Sequence, residues 1–209
     1  MNLPDNVYGY FCDGYPHIVI KEIHISKISN LIPLMHNNQS VKMIHLVRDP
    51  RGVIHSRIKI QQMKQWEENQ TLYEGEKLEI EFGYESIRNE AKEYCSQIEQ
   101  DYLVLKHSFH KHPDIRRNYL FLRYEHLAMQ PHFTAEYLYR FAGIKIHRNV
   151  HKWITMATLP NNSYPYNLYY QFTTRRNSKL VSFDWIYNLS MKSIGIIQQE
   201  CSRAMELLG

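Results

Sequence analysis

The sequence predicts an α/β domain in which a parallel sheet is flanked by helices, and three observations carry that expectation. An apolar run of strand length, residues 43–47, breaks at Arg48-Asp49 and passes into a helical pattern. A second apolar run, 17–25, precedes it across a stretch of helical periodicity. A third, 118–127, ends in charged residues and is followed by a proline-led helix. Strands that alternate with helices in this way read as βαβ units, and parallel pairing follows from the crossover.

Taken in order, residues 17–25 begin as a continuous apolar run and then alternate, as a buried parallel strand does when its end emerges at a polar edge. Ser26 can cap the next helix, on which Ile28, Leu31, Ile32 and Met35 share one face. The strand at 41–47 then completes a right-handed βαβ unit, with 17–25 and 41–47 paired in parallel. Ligands of open α/β sheets sit beyond the carboxyl ends of the strands. Lys21, Glu22, His24 and Arg48 are therefore expected at one edge. Asp49 suits the N-cap and Pro50 the first helical position. A helix start of this kind offers unpaired N–H groups and partial positive charge to a phosphate. Arg48 can add a bidentate fork, and Ser56 lies two turns in with its side chain leaning back toward the start.

Residues 66–82 are acidic and aperiodic, and read as a loop. Ile87, Ala91, Tyr94, Cys95, Ile98, Tyr102 and Leu105 then mark one face of a long helix. Residues 118–127 form a strand with a charged exit, in which Arg123, Tyr124 and Glu125 fix the sheet edge. The helix opened by Pro131 is expected to end at Gly143 in the left-handed conformation, with Ile144 folding back. A short helix around Trp153, an aromatic loop over 159–172 and a closing helix carrying Ile194, Ile197, Cys201, Ala204 and Leu208 complete the chain.

The 209 residues suit a single domain with a sizeable core, and a 44% hydrophobic share excludes global disorder. A net charge of +4 is too small to point to nucleic acid, and its distribution says more. Residues 41–64 hold six Lys/Arg against one acid, and 67–101 hold eleven acids against three bases. The basic block coincides with the phosphate site. Cys12, Cys95 and Cys201 form neither a disulfide framework nor a zinc spacing, and the sequence does not choose a pair among them. His107, His110 and His112 have no carboxylate or thiol placed to complete a metal site, so no metal is expected there. No run approaches the roughly 18 to 20 apolar residues of a bilayer span, and no signal peptide is visible. Sequons stand at Asn38, Asn69, Asn161 and Asn188.

The string from Val41 to Arg57 resembles the 3′-phosphate-binding segment of sulfotransferases that use phosphoadenosine phosphosulfate (PAPS). It is most similar to the Golgi carbohydrate sulfotransferases that act on the 6-hydroxyl of galactose, N-acetylgalactosamine or N-acetylglucosamine. The Leu122-Arg123-Tyr124-Glu125 block and the terminal Arg176-Asn177-Ser178 followed by Trp185 resemble the same family. Gly52 stands where that family usually has alanine, and His126 where it has aspartate. The resemblance implies a P-loop-NTPase-like sulfotransferase fold with PAPS as sulfate donor, a glycan acceptor and residence in the Golgi lumen. It assigns the 3′-phosphate to Arg48, Ser56 and Arg176, with Arg175 competing for the last place. It runs from about His17 to Gly209. The family's opening strand, its Ser/Gly-rich 5′-phosphosulfate loop and its membrane anchor have no counterpart in the sequence, so residues 1–209 read as one partial domain.

Sulfuryl transfer to a hydroxyl needs a base for the proton and a cation for the leaving phosphate oxygen. Position makes His24 and Glu22 the base candidates and Lys21 the cation. Two other readings compete: a non-catalytic nucleotide- or glycan-binding module, favoured by the missing loop, and a protein-tyrosine sulfotransferase-like enzyme.

Overall fold

The computed structural model describes residues 16–23, 27–69, 83–158 and 177–209. After a 3₁₀ turn at Ile28–Asn30, the described elements are α1 (Ile32–Asn37), β1 (Met43–Val47), α2 (Pro50–Asn69), α3 (Tyr84–Lys111), α4 (Pro113–Arg117) and β2 (Tyr119–Arg123). Then follow α5 (Tyr124–Met129), α6 (Pro131–Ala142), α7 (Arg148–Thr158), α8 (Ser178–Phe183), α9 (Trp185–Asn188), α10 (Met191–Glu200) and α11 (Ser202–Leu208). β1 and β2 pair in parallel, in register from Met43↔Tyr119 to Val47↔Arg123. The fold is α/β, as expected, with helices in the majority.

The pairing corrects one expectation. Residues 16–23 contribute no strand, and the partner of β1 is β2. An apolar run becomes a strand only where a neighbouring ladder receives it. Ile18, Val19 and Ile20 are 71%, 85% and 82% exposed and bury nothing. The second strand is also shorter than expected. The charged residues after Arg123 open α5 rather than extend β2.

Most local expectations within the described residues hold, but α2 runs on to Asn69, into the stretch expected as a loop over 66–82; the rest of that stretch and the aromatic loop over 159–172 lie outside the described residues. Ile28 and Met35 are buried, and the Ile28 N–H donates to Asp101 Oδ1 at 3.2 Å; Ser26, the expected cap, lies outside the described residues. Helix α3 buries Ile87, Ala91, Cys95 and Leu105, while Tyr102 faces solvent. Gly143 has φ 75°, and the Ile144 N–H returns to the Tyr139 carbonyl at 2.9 Å, a left-handed helix stop that disfavours any side chain. The closing helix is two helices, because it turns at Cys201.

The core lies between α2, α3 and the C-terminal helices. Ile54 and Ile58 meet Ile87, Ala91 and Cys95, with Trp185, Ile197, Cys201 and Ala204 closing from the other side. Cys95 and Cys201 form a disulfide there, with Cα atoms 5.2 Å apart, which settles the pairing; Cys12 lies outside the described residues. On the sheet, burial lowers the pKa of His45 and raises that of Tyr119. The neutral ring and phenol share a hydrogen bond, His45 Nδ1 to Tyr119 Oη, at 2.9 Å. No described helix is long and apolar enough to cross a membrane.

Candidate functional site

The site forms where β1 and β2 end side by side. Because Val47 is paired with Arg123, the next residues, Arg48 and Tyr124, emerge together at the carboxyl edge of the sheet. The Arg48 guanidinium lies over the Tyr124 ring, 4.6 Å from its centroid, and Nη2 donates to the Val181 carbonyl of α8 at 2.9 Å. Such stacking suits arginine's weakly hydrated planar cation.

Gly52 makes this pose fit. A Cβ built there would stand 2.9 Å from Arg48 Nε, so the arginine folds back over the first turn of α2 at the place where a methyl would be. Gly52 and Ser56, at i and i+4, form a stripe on α2, onto which the Arg48 side chain folds from two residues before the helix. Ser56 is half-buried on that stripe. Arg48 Nε is buried and has no hydrogen-bond partner among the described residues.

Asp49 is the N-cap that the sequence predicts. Its Oδ1 accepts the Arg51 N–H at 2.9 Å, and its carboxylate also takes Arg51 Nε and Nη2, at 2.9 and 2.6 Å. The Asp49 carboxylate thus already occupies the helix tip. Arg51 is held further by Trp185, whose ring lies 4.1 Å from its Cζ.

The strand–helix corner is braced from behind. The Asp49 N–H donates to Oε1 of the buried Glu125 at 3.0 Å, and Arg123 Nε stands 3.6 Å from Glu125 Oε2. Tyr94 Oη donates to the Arg48 carbonyl at 3.2 Å, and burial pushes its pKa up to about 12, so it remains a donor. Asp184 accepts from Lys59 Nζ at 2.6 Å and stands 3.9 Å from His55, which ties α2 to the α8–α9 corner. Arg123 and Glu125 thus fix the edge, as the sequence suggests. Tyr124 does more, because it forms the floor under the Arg48 cation.

Tyr124 also lines a cavity of about 620 Å³ between α5, α6, α7 and α8, together with Leu127, Pro131, Tyr139, Trp153 and Thr158. That volume is within the range of small-molecule sites. Asn177 accepts the Leu180 N–H and so caps α8, and Ser178 Oγ donates to the Ala128 carbonyl at 2.8 Å. These two residues of the terminal motif therefore dock α8 onto α5, close to the carbonyl that Arg48 holds.

The other sequence candidates do not join this cluster in the described structure. Lys21 and Glu22 lie exposed on an irregular segment, not on a strand end, and Glu22 Oε1 accepts the Ile23 N–H at 2.8 Å. His24, Arg175 and Arg176 lie outside the described residues.

Comparison with known proteins shows the family. The sulfotransferase domain family matches residues 19–209. Carbohydrate sulfotransferase 3 of Mus musculus is 29% identical over 212 residues, covering 96% of this chain and 40% of that protein. Its namesake in Tetronarce californica is 30% identical, over 95% of this chain and 42% of that protein. Carbohydrate sulfotransferase 6 of Homo sapiens is 29% identical, with 95% and 49% covered. The chain spans less than half the length of these curated relatives. No solved structure matches it significantly. With a cationic, tyrosine-floored strand–helix corner at its centre and a family match over nearly all its length, the chain belongs to the sulfotransferase domain family.

Proposed function

We propose that this protein takes part in transfer of a sulfuryl group from PAPS to a sugar hydroxyl of a glycan, the 6-hydroxyl of galactose or a hexosamine, and that this chain holds the donor's 3′-phosphate. One observation carries the reading. Around the corner, Arg51, Arg57 and Arg123 each face a carboxylate, from Asp49, Glu90 and Glu125. Arg48 has no carboxylate partner among the described residues, although it is partly buried and one of its N–H groups is orphaned. A desolvated cation without a counter-ion is unfavourable unless an anion supplies one.

The residues present fit a phosphate-bearing nucleotide. Arg48 supplies the charged fork and Ser56 a hydroxyl one turn beyond Gly52. Arg176, directly before the Asn177 cap, supplies a second cation. A ligand whose phosphate sits at Arg48 crosses Tyr124 to reach the neighbouring cavity, whose aromatic lining suits a base or a sugar ring. PAPS, when bound, supplies an activated sulfuryl group. Lys21 and Glu22, which stand apart from the corner in the described structure, and His24 are the sequence's candidates for the cation toward the leaving oxygen and the proton acceptor. The buried disulfide suits an oxidising lumen, which supports residence in the Golgi and agrees with the sequons.

Binding of adenosine 3′,5′-bisphosphate, followed by calorimetry, is the direct test. Arg48→Ala is expected to weaken it by about 1.5–3 kcal/mol and Ser56→Ala by about 1 kcal/mol. Equal affinities for Arg48→Ala and the parent would remove the assignment. A transfer assay with labelled PAPS and a panel of galactose and hexosamine glycans tests the activity itself. Contacts to the 3′-phosphate bind ground state and transition state alike, so they add affinity more than rate. A Ser/Gly loop aimed at the sulfuryl group is missing from this sequence, and one lost preorganised donor costs about 10²–10³ in rate. The chain by itself is therefore expected to bind nucleotide and transfer sulfate slowly. Robust transfer would refute the part given to the missing loop. Binding with no transfer, even after such a strand and loop are restored, would favour a non-catalytic module.

A further inference from the structure

We propose that His36, His112 and Asp114 form a binding site for a zinc-class transition-metal ion, remote from the nucleotide corner. His36 lies in the last turn of α1, His112 is the residue between α3 and α4, and Asp114 stands in the first turn of α4. The two helices pack together, which brings residues far apart in sequence into one cluster. The imidazole rings are 4.1 Å apart at their centroids, and His36 Nδ1 stands 3.6 Å from Asp114 Oδ2. One donor atom from each of the three lies within 4.8 Å of the others. None of the three side chains makes a hydrogen bond to a described residue, so their lone pairs are available to a metal.

Two imidazoles and one carboxylate suit Zn²⁺, Co²⁺, Ni²⁺ or Cu²⁺, whereas Mg²⁺ and Ca²⁺ prefer oxygen sets. Zinc places N and O ligands about 2.0–2.2 Å from the ion, and hence about 3.3 Å from one another in a tetrahedron. Closing from the present spacing needs small side-chain rotations. His36 is exposed and free to turn, with its side chain 47% accessible. The other two ligands are held on a stiff corner, since Pro113 between them has a fixed φ and keeps His112, at φ −134° and ψ 82°, out of the helical conformation. Water completes the coordination.

The location sets the role. α1 leads into β1 and α4 leads into β2, so the cluster joins the amino ends of the two strands, whereas Arg48 stands beyond their carboxyl ends. A metal here is a staple across the two approaches to the sheet and takes no part in the chemistry at the other end.

The test uses the full chain titrated with ZnCl₂ in a non-chelating buffer, by calorimetry and by thermal melting. One-to-one binding is expected, with Tm raised by about 5–10 °C at a hundredfold excess over Kd. His36→Ala, His112→Ala and Asp114→Asn should each weaken binding at least about tenfold, whereas His107→Ala should leave it unchanged. Co²⁺ should give visible d–d bands that disappear in the same variants. If His112→Ala fails to fold, His36→Ala on the exposed face of α1 still decides the question. Absence of binding by the parent, or zinc affinity unchanged in His36→Ala, would overturn the proposal. Bisphosphate affinity should not respond to zinc, so failure here leaves the donor-site reading standing, and the reverse also holds.

Discussion

Replacing Cys201 with serine is expected to lower the stability of the protein by about 4–5 kcal/mol. The disulfide to Cys95 closes a loop with a sequence separation of 106 residues, and loop-closure entropy for a ring of about that size corresponds to about 4.7 kcal/mol. The two sulfurs are also fully buried between α3 and the α10–α11 turn, so the variant leaves two polar or thiol groups in an apolar core. At about 2–4 °C per kcal/mol for a domain of this size, Tm should fall by about 10–20 °C. Melting curves with and without dithiothreitol give the measurement. The parent should respond to reduction, and the Cys95→Ser/Cys201→Ser double variant should not. A parent indifferent to reductant would show that this bond is not a major source of its stability.

Glu125→Leu is expected to cost about 3 kcal/mol, and Glu125→Gln about half of that. In the parent, one carboxylate oxygen receives the Asp49 N–H at the strand–helix corner, and the other faces Arg123. Leucine fits the volume but leaves a buried N–H unpaired, and it removes the counter-charge of a largely buried cation. Glutamine keeps an acceptor for the N–H and loses the charge alone. Arg123 retains the Leu208 carbonyl at 3.2 Å in either variant, which limits the damage. Chemical denaturation of the two variants supplies the comparison. Equal stabilities for leucine and glutamine would mean that the Asp49 contact is unimportant. Both variants should also weaken bisphosphate binding, because the corner they loosen carries Arg48.

The corner itself was legible in the sequence because its signals are local. An apolar run, an N-cap carboxylate, a proline at the first helical position and an arginine before them specify β1, α2 and the cation without reference to the rest of the chain. Gly143 was legible for the same reason, since a left-handed helix stop is decided within a few residues. Strand pairing was not. The Ile/Val run at 17–25 has the composition of a strand, but composition does not say which ladder receives it, and β1 is paired with 119–123 instead. That misassignment also hid Tyr124, whose place beside Arg48 follows at once from the register Val47↔Arg123. In the sequence Gly52 shows only as a departure from the family's alanine, and its use appears only with the Arg48 side chain folded over it. The His36–His112–Asp114 cluster was hidden for a different reason. The sequence shows His112 among His107 and His110, while the neighbour that matters arrives from another helix.

The Cys95–Cys201 bond has a topological consequence for the corner. The chain from 95 to 201 is a covalent ring, and several of the groups that receive the residues of the β1–α2 arm belong to it: Tyr124 and Val181 for Arg48, Glu125 for Asp49, Trp185 for Arg51, Asp184 for Lys59. The arm carrying Arg48 and Ser56 lies outside and is seated on that ring. A protease that cuts one peptide bond within the ring therefore releases no fragment, and both faces of the strand–helix corner stay tethered. A cut between the arm and Cys95 would leave the arm held by those non-covalent contacts alone.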